Sequence, residues 1–134
     1  MPIDLKANPP AATLFDKDAE DVAIALDASA KTTDQRGHTR DSGQNKSTQI
    51  RRFYDELVGW QDRIGNDDEK FKQNVAFVKM LNAKAAYAQG RKLVTQQFVD
   101  WFRDCVKQVD SPRSLKHFRL HFEAMLGFLK QIRE

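Results

Sequence analysis

The 134-residue chain has a single cysteine, Cys105, so it can close no internal disulfide and build no thiolate metal cluster. No apolar run approaches the roughly 18 residues needed to cross a bilayer. The opening Met1-Pro2-Ile3-Asp4 lacks the basic and apolar stretches of a signal peptide, so the expected location is cytoplasmic, with no membrane partner. Glycine and proline are few, at six and four, and the glycines are scattered. Neither a phosphate-cradling loop nor a dinucleotide fingerprint can be built from them. No stretch alternates apolar and polar residues for long, no repeat recurs at the spacing of solenoids, and no heptad pattern is long enough for a free coiled coil.

What the chain does have is apolar residues at three- and four-residue spacing. This predicts an all-α fold, a compact bundle of about five helices behind a flexible N-terminal lead-in. The lead-in covers residues 1–14, where Asn8-Pro9-Pro10 blocks a helix, and no core is expected from it. Residues 15–134 read as a single domain. Its first helix spans Asp16 to Ala30. Residues 31–46 hold no apolar side chain and are expected to form a mobile loop.

Ser47 or Thr48 is placed to cap the next helix, whose apolar face runs Ile50, Phe53, Tyr54, Leu57, Val58 and Ile64. Asp67-Asp68-Glu69 opens a central helix with two apolar stripes. One passes through Phe71, Val75, Val78, Leu81, Ala85 and Ala88, the other through Phe77, Met80, Ala83 and Tyr87, so this helix is expected to be buried over much of its circumference. Gly90 stops or bends it. A fourth amphipathic helix runs from Leu93 to Val109, and a fifth follows Pro112 with Leu115, Phe118, Phe122, Met125, Leu126, Leu129 and Ile132 on its buried side.

Charge is unevenly distributed. The net charge is +3, but residues 1–30 carry six acids against two bases, so the remainder holds +7. The excess is concentrated at residues 31–52, with Lys31, Arg36, Arg40, Lys46, Arg51 and Arg52 against Asp34 and Asp41.

Groups that could carry chemistry are sparse. His117 and His121 stand one helical turn apart, a metal-binding spacing, but no third ligand is recognisable and the glutamate of a metalloprotease helix is missing. They read as surface or nucleic-acid-contacting histidines. Cys105 falls in an apolar stripe and reads as core. The acids at 67–69 are explained by the helix dipole. No catalytic residue, metal site, cofactor or small-molecule substrate is expected.

Bases near helix ends remain: Lys46, Arg51 and Arg52, then Arg91 and Lys92, then Arg113, Lys116 and Arg119. On one shared face they would make a positive track for phosphates, with Thr48 and Gln49 donating hydrogen bonds. On separate faces they serve only solubility. The residues leave open a phosphate-binding surface for a nucleic acid, a helix-turn-helix DNA-binding regulator reading base edges through Gln49, Arg51 and Arg52, and a helical protein-binding adaptor.

Three segments carry a family resemblance: Ser47-Thr-Gln-Ile-Arg-Arg-Phe-Tyr54, Val75 to Arg91 with its closing Tyr-Ala-Gln-Gly-Arg, and Leu115 to Lys130 with Phe-Glu-Ala-Met-Leu-Gly-Phe-Leu. In order and spacing they resemble the small helical subunit of type III-A CRISPR effector complexes, the Csm complexes. The resemblance covers residues 47–129 and leaves out 1–14 and 31–46. It implies a non-catalytic subunit acting in antiviral defence, with other Csm subunits and further copies of itself as partners, stacked along the filament that carries the guide RNA. It also implies contact with the target RNA and the guide–target duplex through backbone and shape, without sequence preference. On this reading Gln49, Arg51, Arg52, Arg91, Lys116 and Arg119 are target-RNA contacts, to which charge and position add Lys46, Lys92 and Arg113, with Thr48 as a hydrogen-bond donor beside them. Phe53, Tyr54 and Tyr87 are aromatic enough to stack on bases, but their helical spacing favours the core.

Overall fold

A computed structural model describes residues 3–134. Met1 and Pro2, the first positions of the expected lead-in, lie outside the described residues. Six helical segments are present among the described residues: α1 Lys17–Ser29, α2 Ser47–Ile64, α3 Asp68–Lys79, α4 Leu81–Gly90, α5 Gln96–Gln108 and α6 Pro112–Arg133. Segments α3 and α4 are separated only by Met80 and together form the expected central helix, so the all-α expectation holds.

Each helix start has a local cause. The Asp67 side chain accepts from the backbone N–H groups of Glu69 and Lys70, and Thr95 caps α5 by accepting from the Phe98 N–H. Ser111 and Ser114 satisfy each other's backbone N–H groups at the head of α6, with Pro112 in the first turn, where its missing N–H costs nothing. The α2 start differs from expectation. Ser47 is already helical, Lys46 is the boundary residue, and no side chain caps the N–H groups there. The Ser47 hydroxyl instead accepts from Arg133 at 3.2 Å.

The core lies where α2, α5 and α6 meet and is dominated by rings. Phe53 packs on Phe98 and Phe102 at centroid distances of 5.1 and 5.3 Å, and Trp101 stands edge-on to Phe122 at 5.0 Å. Such tilted contacts add to the large area each ring buries. Cys105 is fully enclosed, and burial pushes its thiol well above its ordinary pKa, consistent with a core residue. Helices α2 and α6 run antiparallel: Arg133 reaches Ser47, the Tyr54 hydroxyl donates to Glu123 at 2.6 Å, and Arg119 lies 3.4 Å from Gln61. Lys79 ties α3 to α5 by donating to the terminal carbonyls of Val106 and Val109 at 2.6 and 2.9 Å, where the helix dipole favours a cation. Burial lowers the pKa of that ammonium.

Three expectations are corrected. Residues 3–14 form neither helix nor strand, but they do supply core: Ile3, Leu5 and Leu14 are buried. The histidines explain how an irregular segment is held there. His117 Nδ1 lies 2.8 Å from the Leu5 carbonyl and His121 Nδ1 lies 2.8 Å from the Leu14 carbonyl. Both rings are buried, so neither is a surface or nucleic-acid-contacting histidine. In the central helix one stripe is buried and the other faces solvent, with Phe77, Met80 and Tyr87 exposed by 51, 57 and 65%. The neighbours α2 and α5 cover only one side of it.

Residues 31–46 contain a short antiparallel hairpin, β1 Lys31–Thr33 and β2 Thr39–Asp41, with Thr32 opposite Arg40. Asp34 closes its turn by accepting from the N–H groups of Arg36 and His38, and Gly37 takes a φ of +81° that side chains disfavour.

Candidate nucleic-acid interface

The buried side chain of Asn45 organises one end of the bundle. Its amide nitrogen donates to the Leu26 carbonyl, the Ser29 hydroxyl and the Thr95 hydroxyl, and its side-chain oxygen accepts from the Thr95 N–H at 3.0 Å. Its backbone is left-handed, at φ +55°, a conformation asparagine tolerates better than most residues. Its own N–H donates to the Leu93 carbonyl at 3.0 Å, and its carbonyl accepts from Arg133 at 2.8 Å. One residue thus joins the end of α1, the entry to α2, the α4–α5 link and the end of α6.

The Asn45–Leu93 bond decides where the bases lie. Lys46 follows one partner and Lys92 precedes the other, so the first and second basic groups converge on this end of the molecule. Lys46, Thr48, Arg51, Arg52, Arg91 and Lys92 are exposed there and Gln49 is half-buried. The first turn of α2 has no acid, so its positive dipole end is not neutralised locally.

Within this cluster Arg51 and Arg52 point apart, as adjacent helical positions must. Arg51 borders the α2–α6 groove with Lys130 and Arg133, and its contact with Asp55 is long, 3.8 Å, and solvent-exposed. Such a pair holds a guanidinium weakly. Arg52 borders the α2–α4 groove with Gln49 and Tyr87, and it has no ion-pair partner among the described residues. Arg91 donates to the Tyr87 hydroxyl at 3.2 Å.

The third group lies elsewhere. Arg113 and Lys116 border a separate cavity with Asn66 and Asp68, at the opposite end of the antiparallel α2–α6 pair. The length of α6 puts that end roughly 30 Å from the Asn45 cluster. Arg119 is held within the structure between Gln61 and Glu123, beside Tyr54. Of the three rings considered for base stacking, Phe53 and Tyr54 are buried and Tyr87 is exposed. The sequence reading missed Asn45, whose polar side chain in a polar loop gives no sign of burial. It also assigned Tyr87 to the core, although the Tyr87–Arg91 spacing of four was a readable sign of a surface pair.

Among the described residues no group of three His, Cys, Asp or Glu side chains is arranged to hold a metal ion, and no helix is long and apolar enough to cross a membrane.

A family model described as Csm2 Type III-A matches residues 15–134. The chain belongs to the Csm2 family. It is therefore a small subunit of the type III-A CRISPR effector, from a family of structural subunits that associate with the other Csm proteins. The matched range includes 31–46, so the family relationship extends over the hairpin that the three sequence motifs leave out. No curated protein and no solved structure matches the chain.

Proposed function

We propose that this Csm2 protein is the non-catalytic RNA-supporting subunit of its complex, stacking in several copies along the guide-RNA filament and holding the target strand by its phosphates in antiviral defence. The observation that carries this reading is the convergence of Lys46, Arg51, Arg52, Arg91 and Lys92 around the Asn45–Leu93 bond. Exposed cations on a rigid helical end, unpaired or weakly paired, suit phosphate oxygens spaced along a strand. Thr48 and Gln49 add neutral donors at the same helix start. Arg113 and Lys116 form a second contact at the far end of the bundle, for a strand or duplex long enough to reach it. Arg119 acts by keeping α2 and α6 in register rather than by touching RNA.

Sequence is then read by base pairing between guide and target, and the subunit contributes affinity without preference. Few phosphates meet each copy, so one copy binds weakly and stacked copies bind by avidity.

The test is fluorescence anisotropy of the full chain with labelled single-stranded RNA across a range of salt. Binding at low salt should weaken log-linearly with salt. Removing two phosphate contacts with Arg51→Ala and Arg52→Ala together should reduce the slope by about 1.4, at about 0.7 per phosphate on a single strand. A salt-independent interaction, or a footprint on one duplex DNA sequence, would contradict the reading.

A further inference from the structure

We infer that the groove between α2 and α4 is a seat for one unpaired nucleobase, with the ring of Tyr87 as its stacking platform. This rests on the RNA reading above and deepens it, because phosphate contacts alone give no use for an aromatic ring at that place.

Among the described residues Tyr87 is the most exposed of the large apolar side chains, at 65%. It is nevertheless held in place: Arg91 donates to its hydroxyl at 3.2 Å, with the guanidinium carbon 5.8 Å from the ring centroid. A groove of about 380 Å³ opens beside the ring, walled by Phe53 and Leu93 and edged by Gln49 and Arg52. The carboxylate on its rim, Glu56, is ion-paired with Lys84, so the rim is left positive through Arg52.

These features select an occupant. A flat apolar group matches the ring and the apolar wall, a donor–acceptor edge matches the Gln49 amide, and a negative charge matches Arg52. A nucleotide combines all three, and unpaired RNA bases are commonly held by stacking on aromatic rings or arginine planes. An apolar peptide would leave the positive rim without a partner. The other exposed ring of this surface, Phe77, is a separate feature. It is stacked on Trp60 at 5.5 Å and lies ten residues before Tyr87, about 15 Å along the helix.

The probe is a labelled oligouridylate compared with an abasic strand of the same length, titrated with the full chain at low and moderate salt. The wild-type protein should prefer the base-bearing strand. Tyr87→Ala should weaken that strand about 5- to 160-fold, the effect of losing one stacked base. The same variant should leave the abasic strand unaffected and the salt slope unchanged, while Tyr87→Phe keeps wild-type preference. Equal wild-type affinity for the two strands overturns the base seat and leaves the phosphate reading standing, without depending on how any variant folds. Equal weakening of both strands by Tyr87→Ala also overturns it. So does a Tyr87→Ala complex that loses a protein subunit while RNA binding is kept, which would give the groove to a protein partner. Failure of the wild-type chain to bind either strand at low salt overturns the RNA reading itself.

Discussion

The indole N–H of Trp101 donates to Nε2 of His121 at 3.1 Å, and this bond fixes the protonation of a buried imidazole. Indole nitrogen is a donor only, so Nε2 must be the bare nitrogen and Nδ1 carries the proton that it donates to the Leu14 carbonyl. The neutral ring thereby links α5, α6 and the N-terminal segment.

A second proton on His121 would set two donors against each other, and burial already lowers the pKa of this ring from its ordinary value of 6.5. Between the depressed folded pKa and about 6.5 the unfolded chain binds more protons than the folded one, so stability is full above that window and is lost as pH falls through it. The melting temperature should be level above pH 7 and decline below about 6.5, with Trp101 fluorescence changing alongside. A His121→Gln variant should show a shallower decline over the same range. An equal decline in both proteins would place the pH sensitivity elsewhere.

The N-terminal segment contributes stability through side chains as well as through the histidine bonds. Leu5 is completely buried, so Leu5→Ala should cost about 2–5 kcal/mol, the usual range for a leucine truncated in a packed core. Urea denaturation measures this directly. A loss below about 0.5 kcal/mol would mean that the segment does not pack in solution.

Asn45→Ala removes a buried donor–acceptor pair and puts a less tolerant residue in a left-handed backbone. Each buried group left unpaired costs about 1–3 kcal/mol. The variant should be clearly destabilised and should also lose RNA affinity, because the Lys46 and Lys92 segments are no longer held together. Asn45→Ala binding RNA as tightly as wild type would separate the hub from the interface.

Arg51→Ala with Arg52→Ala should weaken RNA binding and leave helix content by circular dichroism nearly unchanged. Both side chains are exposed, and alanine is at least as good a helix former as arginine. Loss of helical signal would show a structural role instead.

Much of the bundle was legible because helices announce themselves by period. The stripe Phe98, Val99, Phe102, Cys105 and Val106 repeats at helical spacing and is buried as read. The packing of the N-terminal segment was not legible, since Ile3, Leu5 and Leu14 are too few and too irregular to show a period. Leu5 and Leu14 are held by His117 and His121, more than a hundred residues away in the chain. The exposure of Phe77, Met80 and Tyr87 was equally hidden, because an apolar stripe is the same in sequence whether or not a neighbour covers it. The hairpin did leave a sign in Asp34 and Gly37, a turn pair with exposed threonines on both sides. Of the candidate site, the residue types were readable, but their division between two ends of the bundle was set by the antiparallel pairing of α2 with α6 and by the bonds of Asn45 to Leu93 and Thr95.

The central claim is tested most directly by purifying the tagged protein from its own host at low and high salt and identifying every protein and RNA that accompanies it. The account predicts a multi-subunit particle containing several copies of this chain and short guide RNAs, with target RNA retained at low salt and reduced when Arg51 and Arg52 are replaced. Recovery of the chain alone, or of genomic DNA from one site, would contradict it.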